Sequence, residues 1–183
     1  MTKHNIINKS DKEEYCSFIY DELILATKRI IIKCQSYISV LNVKLPISCY
    51  TNFRDALFHF YKMNLCVTDI DVYNQSFAIK EHLSRAETDA INNMIVFFSN
   101  IIELLLKKNI PKIEDSLRYY LHYMRKIQLN KRIGGMMVFD KNKPLLNADI
   151  NSVLEKIDDF LTFIQDNDLA ECMCKIISEE IRI

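Results

Sequence analysis

Arg54-Asp55-Ala56-Leu57-Phe58-His59 places a guanidinium, a carboxylate and an imidazole within one and a half helical turns. Asp55 and His59 are four residues apart and share a helix face, so the carboxylate can hydrogen-bond one ring nitrogen, select the tautomer and raise the ring's basicity. Arg54 precedes His59 by five residues, about 140° round the helix, so guanidinium and imidazole flank a groove without stacking. Two such helices facing each other would pool both pairs.

Two further clusters could extend this chemistry. Glu81, His82, Arg85 and Asp89 lie in a segment where 81 and 85, and 85 and 89, are spaced by four. His82 and Arg85 could line the groove of Arg54 and His59 and help to hold a phosphate. The plainer reading is an exposed face tied by i,i+4 ion pairs, each contributing a few tenths of a kcal/mol. Arg118, Tyr119 and Arg125 belong to a run that interleaves tyrosines with basic residues, a pattern able to stack bases and contact the phosphates of single-stranded RNA. Its plainer reading is an amphipathic helix whose tyrosines point partly inward.

The elements that must carry these residues are helical. With 2 Gly and 3 Pro in 183 residues, a turn-rich sandwich or a glycine-looped dinucleotide fold is excluded in favour of an all-α chain. Ser10-Asp11-Lys12-Glu13 has the capping-box pattern of a helix start, and Ile19, Leu23, Ala26, Ile30, Cys34, Tyr37 and Leu41 follow as one buried stripe. Pro46 ends that stretch. A second helix is predicted from about Ile47 to Leu65, and 69–108, free of Gly and Pro, reads as one very long helix or two abutting ones. Pro111 suits the first turn of a helix running to about Asn130, with Gly134-Gly135 as its stop. The stretch 136–147 is expected to be a loop able to move. Ile150 to Ile164 forms a final amphipathic helix, which 169–183 either continues or follows as a short appended one. The expectation is therefore a single domain over 1–183, an antiparallel bundle of five or six helices with one unusually long central helix.

Lys plus Arg and Asp plus Glu are both 24, so no global field points to nucleic acid or membrane. The balance conceals a gradient: 107–144 holds ten basic and three acidic residues, and 145–183 three and nine. Such a pair of segments could form an anion-binding surface and its counterweight, or simply neutralise each other. The first fourteen residues have no apolar core of a leader, so six reduced cysteines and a cytoplasmic address are expected. Cys172 and Cys174 lack the second pair that a zinc site needs, and no metal or cofactor is expected. Met94 to Leu106 is too short and too interrupted for a membrane span.

The six residues from Arg54 to His59, with the helical architecture, resemble the R-x(4 to 6)-H signature of the HEPN superfamily. Asp55 conforms to that family's habit of a polar residue after the arginine, whereas the motif's place in the second helix is earlier than in many members. The resemblance implies a homodimer whose two Arg/His pairs form a composite ribonuclease site. Cleavage would be metal-independent: an RNA 2′-hydroxyl attacks the adjacent phosphate, His59 acts as general acid or base, and Arg54 stabilises charge on the phosphoryl oxygens. Members of this kind serve in toxin–antitoxin, defence and RNA-processing roles, with an antitoxin or other protein as partner. The alternative is a non-catalytic helical interaction module that binds a protein partner or a nucleotide.

Overall fold

The computed structural model describes residues 9–28, 44–110, 112–136 and 147–180. The fold is an all-α bundle with six helices among the described residues: α1 (Lys9–Thr27), α2 (Ile47–Leu65), α3 (Asp69–Lys107), α4 (Glu114–Met136), α5 (Asn147–Asp166) and α6 (Ala170–Glu180). At 39 residues, α3 is the long central helix expected from the sequence. The chain groups into two compact units, one of 1–36 with 45–90 and one of 37–44 with 91–183, so α3 contributes its first 22 residues to one and the remainder to the other.

The first unit is built from α1, α2 and the start of α3. Ile19, Leu23 and Ala26 of the predicted stripe are buried, while Ile30, Cys34, Tyr37 and Leu41 lie outside the described residues. They pack with Ala56 and Met63 of α2 and Val72, Ile79 and Leu83 of α3. Ser10 is not a cap, because α1 is already helical at Lys9. The capping pair operates at α3 instead. Thr68 Oγ1 accepts the Asp71 amide at 3.2 Å and donates to Asp71 Oδ2 at 2.5 Å, satisfying a donor that the first helical turn leaves without a partner. The other end of α2 is closed by Lys12, whose ammonium donates to the carbonyls of Asn64 and Cys66 at 2.6 Å each, where the helix dipole favours a cation.

In the second unit, the later half of α3 buries Met94, Ile95, Phe98, Ile101, Ile102 and Leu105. By length and composition alone α3 is long and apolar enough to cross a membrane, and 56% of its apolar window is buried within the fold. Pro111 lies outside the described residues, and α4 begins three residues after it, at Glu114. The predicted stop at Gly134-Gly135 is overturned: α4 runs through both to Met136, with neither glycine at positive φ. Glycine lowers helix propensity by about 1 kcal/mol, but it ends a helix only when it turns left-handed. The predicted loop lies, over 137–146, outside the described residues. The open question after α5 resolves as a separate α6. Asp168 adopts φ 55°, and the amides of Asp168 and Leu169 return to the carbonyls of Gln165 and Ile164, the hydrogen-bond pattern of a Schellman stop.

Candidate functional site: a braced histidine pair

The residues of interest in the first unit gather where α2 crosses the start of α3. His59 Nδ1 meets Gln75 Oε1 at 2.8 Å, and His82 Nδ1 meets Asn52 Oδ1 at 3.1 Å. Each histidine is thus held by a carboxamide on the other helix. Seven residues separate Asn52 from His59 and Gln75 from His82, two turns on each helix, so the pairing advances along α2 as it retreats along α3 and the helices run antiparallel. Helical side chains lean toward the N-terminus of their own helix, which tilts the two imidazoles toward each other. Their rings stack with centroids 5.3 Å apart and planes 21° from parallel.

The bracing determines which nitrogen is available. Asn52 Nδ2 donates to the Ser48 carbonyl at 3.0 Å, so its oxygen is the atom that faces His82. A carboxamide oxygen only accepts, and His82 Nδ1 must therefore carry the proton, leaving the Nε2 lone pair free in the neutral ring. His59 Nδ1 lies against Gln75 Oε1 in the same way and, with that oxygen as acceptor, carries its own proton. Both rings are half-buried. Burial first, and the neighbouring His59 second, hold the His82 imidazole below its usual value; Asp55 acts in the opposite direction.

Asp55 does not hold His59, contrary to the expectation from their spacing. Its Oδ1 accepts from Arg54 Nε at 3.0 Å and Arg54 Nη2 at 2.8 Å, because an adjacent guanidinium offers two convergent charged donors that a neutral ring cannot match. The Arg54 hydrogen bonds keep the Asp55 carboxyl below its ordinary range, and the two imidazoles add to that electrostatically. Arg54 remains 74% exposed. On α3, Arg85 reaches Glu81 at 3.4 Å in an exposed i,i+4 pair, so these two follow the plainer reading while His82 between them faces the site.

Arg118, Tyr119 and Arg125 belong to the second unit. Arg118 is paired with Glu114 and Arg125 with Glu103 at 2.6 Å, while Lys156 lies 5.6 Å from the Tyr119 ring centroid. Sequence reasoning missed Asn52 and Gln75. The available signal was an amide two turns before each histidine, on the same helix face.

A scan against protein-family models and searches of curated proteins and solved structures all find nothing similar to this chain. Chemically, the site offers two Nε2 lone pairs, an exposed guanidinium oriented by Asp55, and a second guanidinium at Arg85. Among the described residues, no group of three or more His, Cys, Asp or Glu is placed to hold a metal ion.

Proposed function

We propose that the chain is a HEPN-like, metal-independent endoribonuclease that works as a homodimer, of the toxin–antitoxin, defence or RNA-processing type, with cytoplasmic RNA as substrate. The observation that carries this reading is the stacked His59/His82 pair, two imidazoles braced across α2 and α3. Transphosphorylation needs acid–base groups, which the pair supplies, and a phosphate-binding cation, for which Arg54 and Arg85 are available on the same two helices.

A second observation supports the dimer. Ile47, Tyr50, Leu57, Phe58, Tyr61 and Leu65 are all more than half exposed and follow each other on α2 in helical steps, with Arg54 inside the stripe. An antiparallel copy of α2, related by a two-fold axis near Ala56, would set Ile47 against Leu65 and Arg54 against Phe58. Such a pairing is self-complementary, as a two-fold interface must be, and brings two Arg54 side chains to one seam.

The test is incubation of the purified chain with single-stranded RNA in excess chelator. Cleavage should persist, leave 2′,3′-cyclic phosphate and 5′-hydroxyl ends, and fall by about 10²- to 10⁴-fold in His59→Ala with helicity retained. Magnesium-dependent cleavage leaving 3′-hydroxyl ends would sink the reading. The exposed apolar stripe also favours a second reading, a helical module that binds a protein without catalysis. That reading takes over if RNA is untouched while the chain still self-associates or captures a partner protein.

A further inference from the structure

We infer that His82 is the second acid–base group of this site, so that each protomer carries a complete imidazole pair, His82 taking the proton of the attacking 2′-hydroxyl and His59 supplying the proton of the departing 5′-oxygen. The inference rests on the ribonuclease reading above and adds to it a division of labour within one chain.

The geometry is reciprocal. Asn52 and Gln75 fix both rings with Nδ1 as donor, so both present Nε2, the atom free to exchange a proton with a ligand. At a centroid separation of 5.3 Å, a proton on one ring opposes a proton on the other, and the pair favours one imidazolium and one neutral imidazole over two cations. Transphosphorylation needs that mixed state. The neutral Nε2 accepts the 2′-hydroxyl proton as the oxygen forms its bond to phosphorus. The bond from phosphorus to the 5′-oxygen breaks, and the imidazolium Nε2–H protonates that oxygen. One proton is taken and one is given, and the products are a 2′,3′-cyclic phosphate and a 5′-hydroxyl.

The two rings differ in the direction that matters. Burial and its neighbour hold the His82 imidazole below its usual value, which suits the base, and the role of acid falls to His59 as the other ring of the stacked pair. The charged groups around His82 are Asp55 on α2 and Glu81 and Arg85 on α3, with Arg54 joined to Asp55. Arg54 is the cation exposed enough to meet the phosphoryl oxygens without leaving Asp55.

The experiment combines an imidazole titration by NMR with the pH profile of RNA cleavage, on the full chain, His59→Gln, His82→Gln and Asn52→Asp. In the parent, His82 should titrate below the usual histidine range, and cleavage should follow a bell. His59→Gln should raise the His82 pKa, and His82→Gln should lower kcat/KM by 100-fold or more and remove the acid limb of the bell. Asn52→Asp places a carboxylate on His82 Nδ1 and should move that limb to higher pH by about one unit. A His82 ring whose titration is unmoved in His59→Gln overturns the pairing whatever the activity. A parent that cleaves RNA, joined by a His82→Gln variant with the same bell, overturns the role of His82 while the ribonuclease reading stands. A parent that cleaves no RNA under any condition overturns both.

Discussion

At the scale of single residues, burial is the first cause that sets the His82 imidazole and the Cys49 thiol. His82 is kept neutral in the fold, whereas an unfolded histidine binds its proton near pH 6.5. Between that pH and the lower folded value, the unfolded chain holds more protons, so stability is full above about pH 7 and falls as the pH drops through 6.5. Chemical denaturation at pH 7.5 and pH 5.5 should show that loss in the parent and a smaller one in His82→Gln. An unchanged difference would place the acid sensitivity elsewhere. Cys49 makes the same point with a thiol: it is fully buried, and its pKa is pushed up to about 11, by burial first and Asp89 second. At pH 8, iodoacetamide should label exposed Cys174 readily and reach Cys49 only when the chain unfolds, as mass spectrometry of the labelled peptides would report. Rapid native labelling of Cys49 would contradict its burial.

At the scale of helices, the part of the fold legible in the sequence is the part written in long-period hydrophobic spacing. Ile47–Leu65 and the long third helix follow from apolar steps of three and four and from Pro46, signals that act over many residues at once. The stops were less legible. Glycine at 134 and 135 has the pattern of a terminator, but propensity is a weak preference that a continuing helix overrides, while the stop at Asp168 depends on a left-handed residue that only the backbone reveals. For the site, the sequence showed which groups could do chemistry but not their partners. Spacing alone assigns Asp55 to His59, whereas the nearer, doubly donating Arg54 takes it. Asn52 and Gln75 are uncharged and two turns from the rings' own positions, so their role appears only when two helices are laid antiparallel. The apolar half of α3 carries one clear local conflict, Ser99, whose buried hydroxyl has no hydrogen-bond partner. Removing it spares the fold an uncompensated desolvation, so Ser99→Ala should be neutral or stabilising by up to about 1 kcal/mol. Urea denaturation measures it, and a loss of more than about 1 kcal/mol would mean that the hydroxyl has a partner in solution.

At the scale of the whole molecule, the outward face of α2 is where the composite site can be tested without touching its chemistry. Leu57 and Tyr61 are 57% and 62% exposed, lie in the stripe with Arg54 and, two residues either side of His59, belong to a different helix face from that ring. Exposed apolar side chains contribute little to the fold of a single chain, whereas two carboxylates introduced there would be desolvated in a two-fold seam, the one at position 57 close to its own copy across the axis near Ala56. Leu57→Asp with Tyr61→Asp should therefore leave helicity and the coupled titration of His59 and His82 intact, convert a dimer into a monomer by sedimentation at micromolar concentration, and lower RNA cleavage because each site then has a single Arg54. Retained cleavage in a proven monomer would show that one protomer's imidazole pair and guanidinium suffice. A parent chain that already sediments as a monomer, unchanged by RNA, would remove the composite arrangement and leave the braced histidine pair to be judged by its own titration.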